Sequence, residues 1–189
     1  MTPSQASDPT EILSGRPSST LPAEWPSPSG QGRLMALEDP HRGAVATNTA
    51  RVLGIDPGGT TGLALYDGRR WLVGETPSLV QLHAVLKLWR PSVVVAEQFI
   101  PEPNRPVARD ALWAEGVIRL WRMGHTGDFI KLIWSNRGNV MSLCTDEMLH
   151  ANDLWIKSMR HGRDAIRHVL HYLVTKEHDS RWIEFTKEI

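Results

Sequence analysis

Asp56 closes the apolar run Val52-Leu53-Gly54-Ile55 and is followed at once by Pro57-Gly58-Gly59. A carboxylate at the end of a buried strand is costly without a partner, so it belongs at an open sheet edge facing a ligand or cation. The glycines after it permit a tight turn and leave room for a phosphate or a metal. Capping of the turn itself is the plainer use of an Asp-Pro-Gly. Glu97 repeats the pattern at the end of Ser92-Val93-Val94-Val95-Ala96. Acids at the C-terminal ends of two strands share one rim of a sheet, where they raise each other's pKa unless a cation lies between them. Hard oxygen donors suit magnesium or manganese; a solvated strand end is the alternative. His161, Asp164 and His168 recur at intervals that place them on one face of a helix. The first turn of such a helix, crossing the sheet, brings His161 and Asp164 up to the two strand acids. The other face carries Arg160, Arg163 and Arg167. An ordinary amphipathic surface helix would look similar.

The elements that must position these residues are legible around them. Val52–Asp56, 62–66 and 71–74 read as strands with turn residues in the gaps. Residues 78–90 have helical spacing through Leu79, Leu82, Val85, Leu86 and Trp89. The unalternated run at 92–96 is expected of a central strand buried on both faces. A proline-rich loop at 101–106 leads to a helix over 107–123, and 129–134 is the next strand. A short helix over 145–153 precedes the last one, from about Ser158, its plausible N-cap, to Thr175. The order predicts an α/β fold, a mixed five-stranded sheet flanked by helices.

Composition bounds the rest. No apolar run reaches the roughly 18 residues a membrane span needs, and the first residues lack the pattern of a secretory signal. The single cysteine, Cys144, excludes an internal disulfide and a cysteine-cluster zinc site. These features point to a cytoplasmic protein. Net charge is zero, so bulk charge does not announce a nucleic-acid partner. Residues 1–48 hold seven of the 13 prolines and read as a disordered tail, in which Met35 offers an internal start. Residues 49–176 form the folded domain, and 177–189 a C-terminal extension without a readable signal.

Three segments carry a family resemblance: Val52-Leu53-Gly54-Ile55-Asp56-Pro57-Gly58-Gly59-Thr60-Thr61-Gly62-Leu63-Ala64, Val93-Val94-Val95-Ala96-Glu97-Gln98-Phe99, and His161-Gly162-Arg163-Asp164-Ala165-Ile166-Arg167-His168. In this order they resemble the RuvC-type Holliday-junction resolvases of the ribonuclease H-like superfamily, and the last segment is nearest to the phage-encoded branch. The resemblance implies a metal-dependent endonuclease that cleaves branched DNA. It implies Asp56, Glu97, His161 and Asp164 as catalytic and metal-binding residues, around two magnesium ions that manganese can replace. Asp56 would bridge the ions, Glu97 and Asp164 would bind one each, and His161 would complete a site or act on the attacking water. The implied products carry 5′-phosphate and 3′-hydroxyl ends. A homodimer follows from the need for two symmetric nicks, with the 107–123 helix as a candidate interface. The family commonly places a lysine before its last helices. Here Met141 stands near that place, and Arg137 or Lys131 would substitute.

Arg105, Arg109, Arg137, Arg160 and Arg163 are the candidates for DNA contact. Trp113, Trp121 and Trp134 are candidates for stacking on unpaired bases, with burial the plainer reading. Two rivals are a binding-only protein for branched DNA and an ATP-binding domain of the actin and sugar-kinase type. In the latter, Gly58-Gly59-Thr60-Thr61-Gly62 would cradle phosphates, but that fold needs two domains and about twice this length.

Overall fold

The computed structural model describes residues 32–41, 50–101, 108–125 and 129–183. Its strands are β1 (Arg33–Glu38), β2 (Val52–Asp56), β3 (Thr61–Tyr66), β4 (Arg70–Thr76), β5 (Val93–Glu97) and β6 (Lys131–Ser135). They form one sheet in the order β1-β4-β3-β2-β5-β6. The β1–β4, β4–β3 and β3–β2 pairs are antiparallel, while β2–β5 and β5–β6 are parallel. The helices are α1 (Leu79–Trp89), α2 (Arg109–Met123), α3 (Arg137–Leu143), α4 (Asp146–Ala151), α5 (Arg160–Thr175) and α6 (Ser180–Ile183). No helix among the described residues is long and apolar enough to cross a membrane.

Both faces of the sheet are covered, which is why β2 and β5 lack polar alternation. Leu53, Ile55, Val94 and Ala96 join Leu82, Leu86 and Trp89 of α1 and Ala114, Ile118 and Trp121 of α2. Val52, Val93 and Val95 join Ala165, Ile166, Val169 and Leu170 of α5 on the opposite face. Side chains alternate along a strand, so Asp56 shares the α5 face with Val52, and Glu97 shares it with Val93 and Val95.

α5 lies directly on strand backbone. A Cβ on Gly54 would collide with the carbonyl of Ala165, and one on Gly62 with the carbonyl of His161. Glycine is needed at these two places for close approach.

The mixed α/β sheet is as expected, but among the described residues it has six strands, not five. The extra strand, β1, falls inside the stretch read as a disordered tail. It caps the open edge of β4, and Leu34 and Leu37 pack against the two cores. Of the rest of that tail, residues 32 and 39–41 are described, and the others lie outside the described residues. Met35 falls within β1, so a chain starting there would lack Arg33 and Leu34. The C-terminal extension also contributes structure, because Trp182 of α6 is fully buried. Helix α3 was not foreseen; Asn136 caps it by accepting from Gly138 N at 2.8 Å.

Candidate metal centre

Asp56 and Glu97 end adjacent parallel strands whose register pairs Ile55 with Ala96. Register also sets Glu97 opposite Ser135 at the end of β6. His168, on the third turn of α5, reaches this row from above. Ligand atoms of Asp56, Glu97 and His168 all lie within 4.8 Å of one another.

The hydrogen bonds around His168 assign its tautomer. Ser135 Oγ donates to Ala96 O at 3.1 Å, so its proton is committed. It therefore accepts from His168 Nδ1–H, 2.8 Å away. In a neutral imidazole that leaves Nε2 as the unprotonated nitrogen; it is buried and without a hydrogen-bond partner among the described residues. It stands 3.5 Å from Glu97 Oε2. Two lone-pair donors facing each other in a buried pocket call for a cation. A neutral imidazole with its other nitrogen held by a second residue is the usual state of a metal-ligating histidine. The donor set therefore fits a divalent ion.

The charges around this point are unevenly compensated. Burial pushes the Asp56 carboxyl up, and Glu97 and Asp164 add to the effect, against a hydrogen bond from His161. For Glu97 burial also pushes upward, but His168, when its imidazole is charged, and Arg137 outweigh it and hold the group below its usual range. His161 is raised, first by its hydrogen bond to Asp56, with Nδ1 2.8 Å from Oδ2. Arg137 spans two carboxylates, Nη1 at 3.2 Å from Glu97 Oε2 and Nη2 at 3.3 Å from Asp164 Oδ2. Arg167 takes the other oxygen of Asp164 and also bonds Asp146 and the Cys144 carbonyl.

α5 has no side-chain cap of its own, because Met159 occupies the N-cap position and no acid lies in the first turn. The cap comes from the sheet. Glu75 Oε1 on β4 accepts from His161 N at 2.7 Å and Gly162 N at 3.1 Å. It satisfies two otherwise orphaned donors and sets a negative charge at the positive end of the helix. The expected cap, Ser158, instead offers its carbonyl to Arg33 at 3.0 Å.

The same arrangement of sheet and helices exists in known structures. Thermus thermophilus RuvC in complex with Holliday junction substrate superposes with a TM-score of 0.55 at 20% identity, over 69% of this chain and 97% of that one. A second Thermus thermophilus RuvC structure gives 0.52 at 19% identity, over 68% and 96%. The fold is that of RuvC. The yeast mitochondrial Holliday junction resolvase Ydc2 gives 0.45 at 13% identity, over 77% of this chain and 83% of the other. No family model matches the sequence, and no curated protein does.

Within the RuvC fold the four residues singled out in the sequence converge: His161 bonds Asp56, and Arg137 ties Glu97 to Asp164. Sequence reasoning did not assign His168, although its place on the His161–Asp164 face was the available signal. Ser135, Glu75 and Arg167 gave none. Arg167, read on the helix face away from His161 and Asp164, is buried against Asp164. Of the two candidates for the missing lysine, Arg137 is at the site. Lys131 starts β6, opposite Val93 and about 13 Å along the strand from Glu97, with Nζ over the Tyr172 ring. Arg160 is exposed at the start of α5. Arg109 is exposed beside Asp110, which packs on Gly59 of the Asp56 turn. Arg163 is committed elsewhere, bonding the Ile156 carbonyl at 2.6 Å and stacking on Trp155 at 4.1 Å. Arg105 lies outside the described residues. Of the tryptophans, Trp121 is buried, Trp134 lies beneath Arg119, and Trp113 is exposed. The phosphate-cradle reading of Gly58–Gly62 meets an obstacle, since α5 backbone fills the space at Gly62.

Proposed function

We propose that this chain is a divalent-metal-dependent endonuclease that cleaves phosphodiester bonds in branched DNA, the four-way Holliday junction above all. One observation carries the reading: Asp56, Glu97 and the buried His168 Nε2, which has no hydrogen-bond partner among the described residues, converge at the C-terminal rim of parallel strands. On this reading Asp56, Glu97 and His168 hold magnesium, which manganese can replace, with Asp164 and His161 beside them. The ion, when bound, supplies positive charge that stabilises phosphoryl oxygens during displacement. His161 is partly exposed, with Nδ1 held by Asp56. This leaves its Nε2 to take a proton from the attacking water. Arg109, Arg137 and Arg160 are the proposed phosphate contacts, and the proposed products have 5′-phosphate and 3′-hydroxyl ends.

Paired nicks need two active sites, so the proposed working form is a homodimer. Helix α2 keeps Ala111, Ala114, Ile118 and Trp121 in the core but exposes Leu112, Trp113, Leu120 and Met123. That exposed stripe is the proposed interface, and sedimentation showing only monomer at micromolar concentration would remove it.

A labelled synthetic four-way junction, incubated with wild type or Asp56→Asn in magnesium, tests the function. Paired nicks by wild type alone, absent on linear duplex, are expected. Tight junction binding without cleavage in magnesium or manganese would make the chain a binding protein instead.

A further inference from the structure

Arg137 and Arg167 treat Asp164 differently from the other acids of the pocket. Arg167 engages Asp164 Oδ1, and Arg137 engages Oδ2. Both oxygens are thus paired with guanidinium nitrogens, whereas Asp56 has no arginine within ion-pair distance among the described residues. Arg137 extends the same fork to Glu97. Its planar guanidinium thereby bridges a β5 acid and an α5 acid, as a bridging metal ion would. The two arginines also differ in freedom. Arg167 is 5% exposed and anchored at three places, while Arg137 is 46% exposed at the first residue of α3. Arg167 is a fixed part of the pocket, and Arg137 is a displaceable one.

We propose that the Arg137 guanidinium is a tethered cation standing where a second divalent ion would bind between Glu97 and Asp164. The free protein then takes up one divalent ion, at Asp56, Glu97 and His168, in place of the two that the family resemblance implies. Three carboxylates with two guanidiniums already among them are near balance with one divalent ion. A second ion beside an undisplaced Arg137 would meet like-charge repulsion at close range. A DNA phosphate offers Arg137 another anion, and its departure would open the Glu97–Asp164 position. This inference rests on the metal-centre reading and specifies its ion count.

Bound Mn2+ per full-length chain, without DNA, is counted by titration calorimetry and by the electron paramagnetic resonance signal of free Mn2+. Wild type is expected to bind one ion. Arg137→Ala and Arg137→Gln are expected to bind two, or to gain at least tenfold in affinity for the second. Arg137→Lys keeps the charge and is expected to stay nearer wild type. Adding Asp164→Asn to Arg137→Ala should return the count to one, which locates the gained site. Circular dichroism identifies any variant that has not folded, and the two neutral substitutions report independently. Two ions in wild type with the same affinities in the variants would overturn the inference and leave the metal centre standing. One ion in all proteins would overturn it too. No ion bound to any of them would overturn the metal-centre reading itself.

Discussion

Ser135 carries no charge, yet two hydrogen bonds pass through its hydroxyl and fix which nitrogen of a neutral His168 ring carries the proton. Ser135→Ala removes the acceptor for Nδ1–H and frees the imidazole to change tautomer. Divalent-ion affinity is expected to fall by about 10–100-fold, with a stability loss of only about 1 kcal/mol. Mn2+ titration beside urea unfolding separates the two effects, and unchanged affinity would remove Ser135 from the site. The pH dependence of metal uptake belongs at this scale as well. Asp56 is raised by burial, and His161 by its bond to Asp56. A raised group stabilises the metal-free fold below its unfolded pKa, and that contribution is lost as pH rises through the folded value. For His161 the loss begins above about pH 6.5; for Asp56 it begins above about pH 4. An ion at Asp56 displaces a proton, so its binding strengthens over the same interval. Thermal-shift measurements should show a larger Mg2+-induced rise in Tm at pH 8 than at pH 6; an equal or smaller rise would contradict the assignment.

At the scale of elements, the site depends on how α5 is seated. Its apolar and chemical residues were readable from spacing, and its end near Thr175 was placed correctly. Its start was misplaced because the cap is not local: the acid that caps it, Glu75, comes from β4 and lies 86 positions before His161. Glu75→Ala should cost about 0.5–2 kcal/mol, the range for a lost cap, and weaken ion binding by loosening His161. Glu75→Gln keeps an acceptor oxygen and should lose less of both. Equal losses in the two variants would show that charge, not hydrogen bonding, seats the helix. The loop before α5 is held by a stack in which Trp155 lies between His150, at 4.3 Å, and the Arg163 guanidinium. Arg163 is therefore explained by positioning, a use its spacing on the helix did not reveal.

At the scale of the molecule, the two ends of the described chain meet away from the metal centre. Tyr66 donates to Asp39 at 2.6 Å, just after β1, and Arg181 of α6 lies 3.5 Å from the same acid. Trp182 packs edge-on against Tyr66, Trp71 and His41. Trp182→Ala is expected to cost about 3–5 kcal/mol, as for other fully buried large aromatics. A chain ending at Lys176 should be destabilised comparably. Urea unfolding checks both, and a loss under 1 kcal/mol would make the extension dispensable. Neither end announced this role, because a six-residue strand amid prolines and a single tryptophan turn show no periodicity to read.

The sequence by itself determined the central elements and the positions of Asp56, Glu97, His161 and Asp164, because these follow from short-range patterns: apolar runs ended by acids, and helical spacing. Tertiary structure alone decided that Asp56 and Glu97 point to the same face, since strand alternation gives parity but not which side α5 covers. It alone brought Ser135 under His168 and Arg137 between Glu97 and Asp164. Those contacts join residues 27–40 positions apart in the chain. Only strand register and helix seating, set by packing over the whole core, bring such residues within hydrogen-bond range.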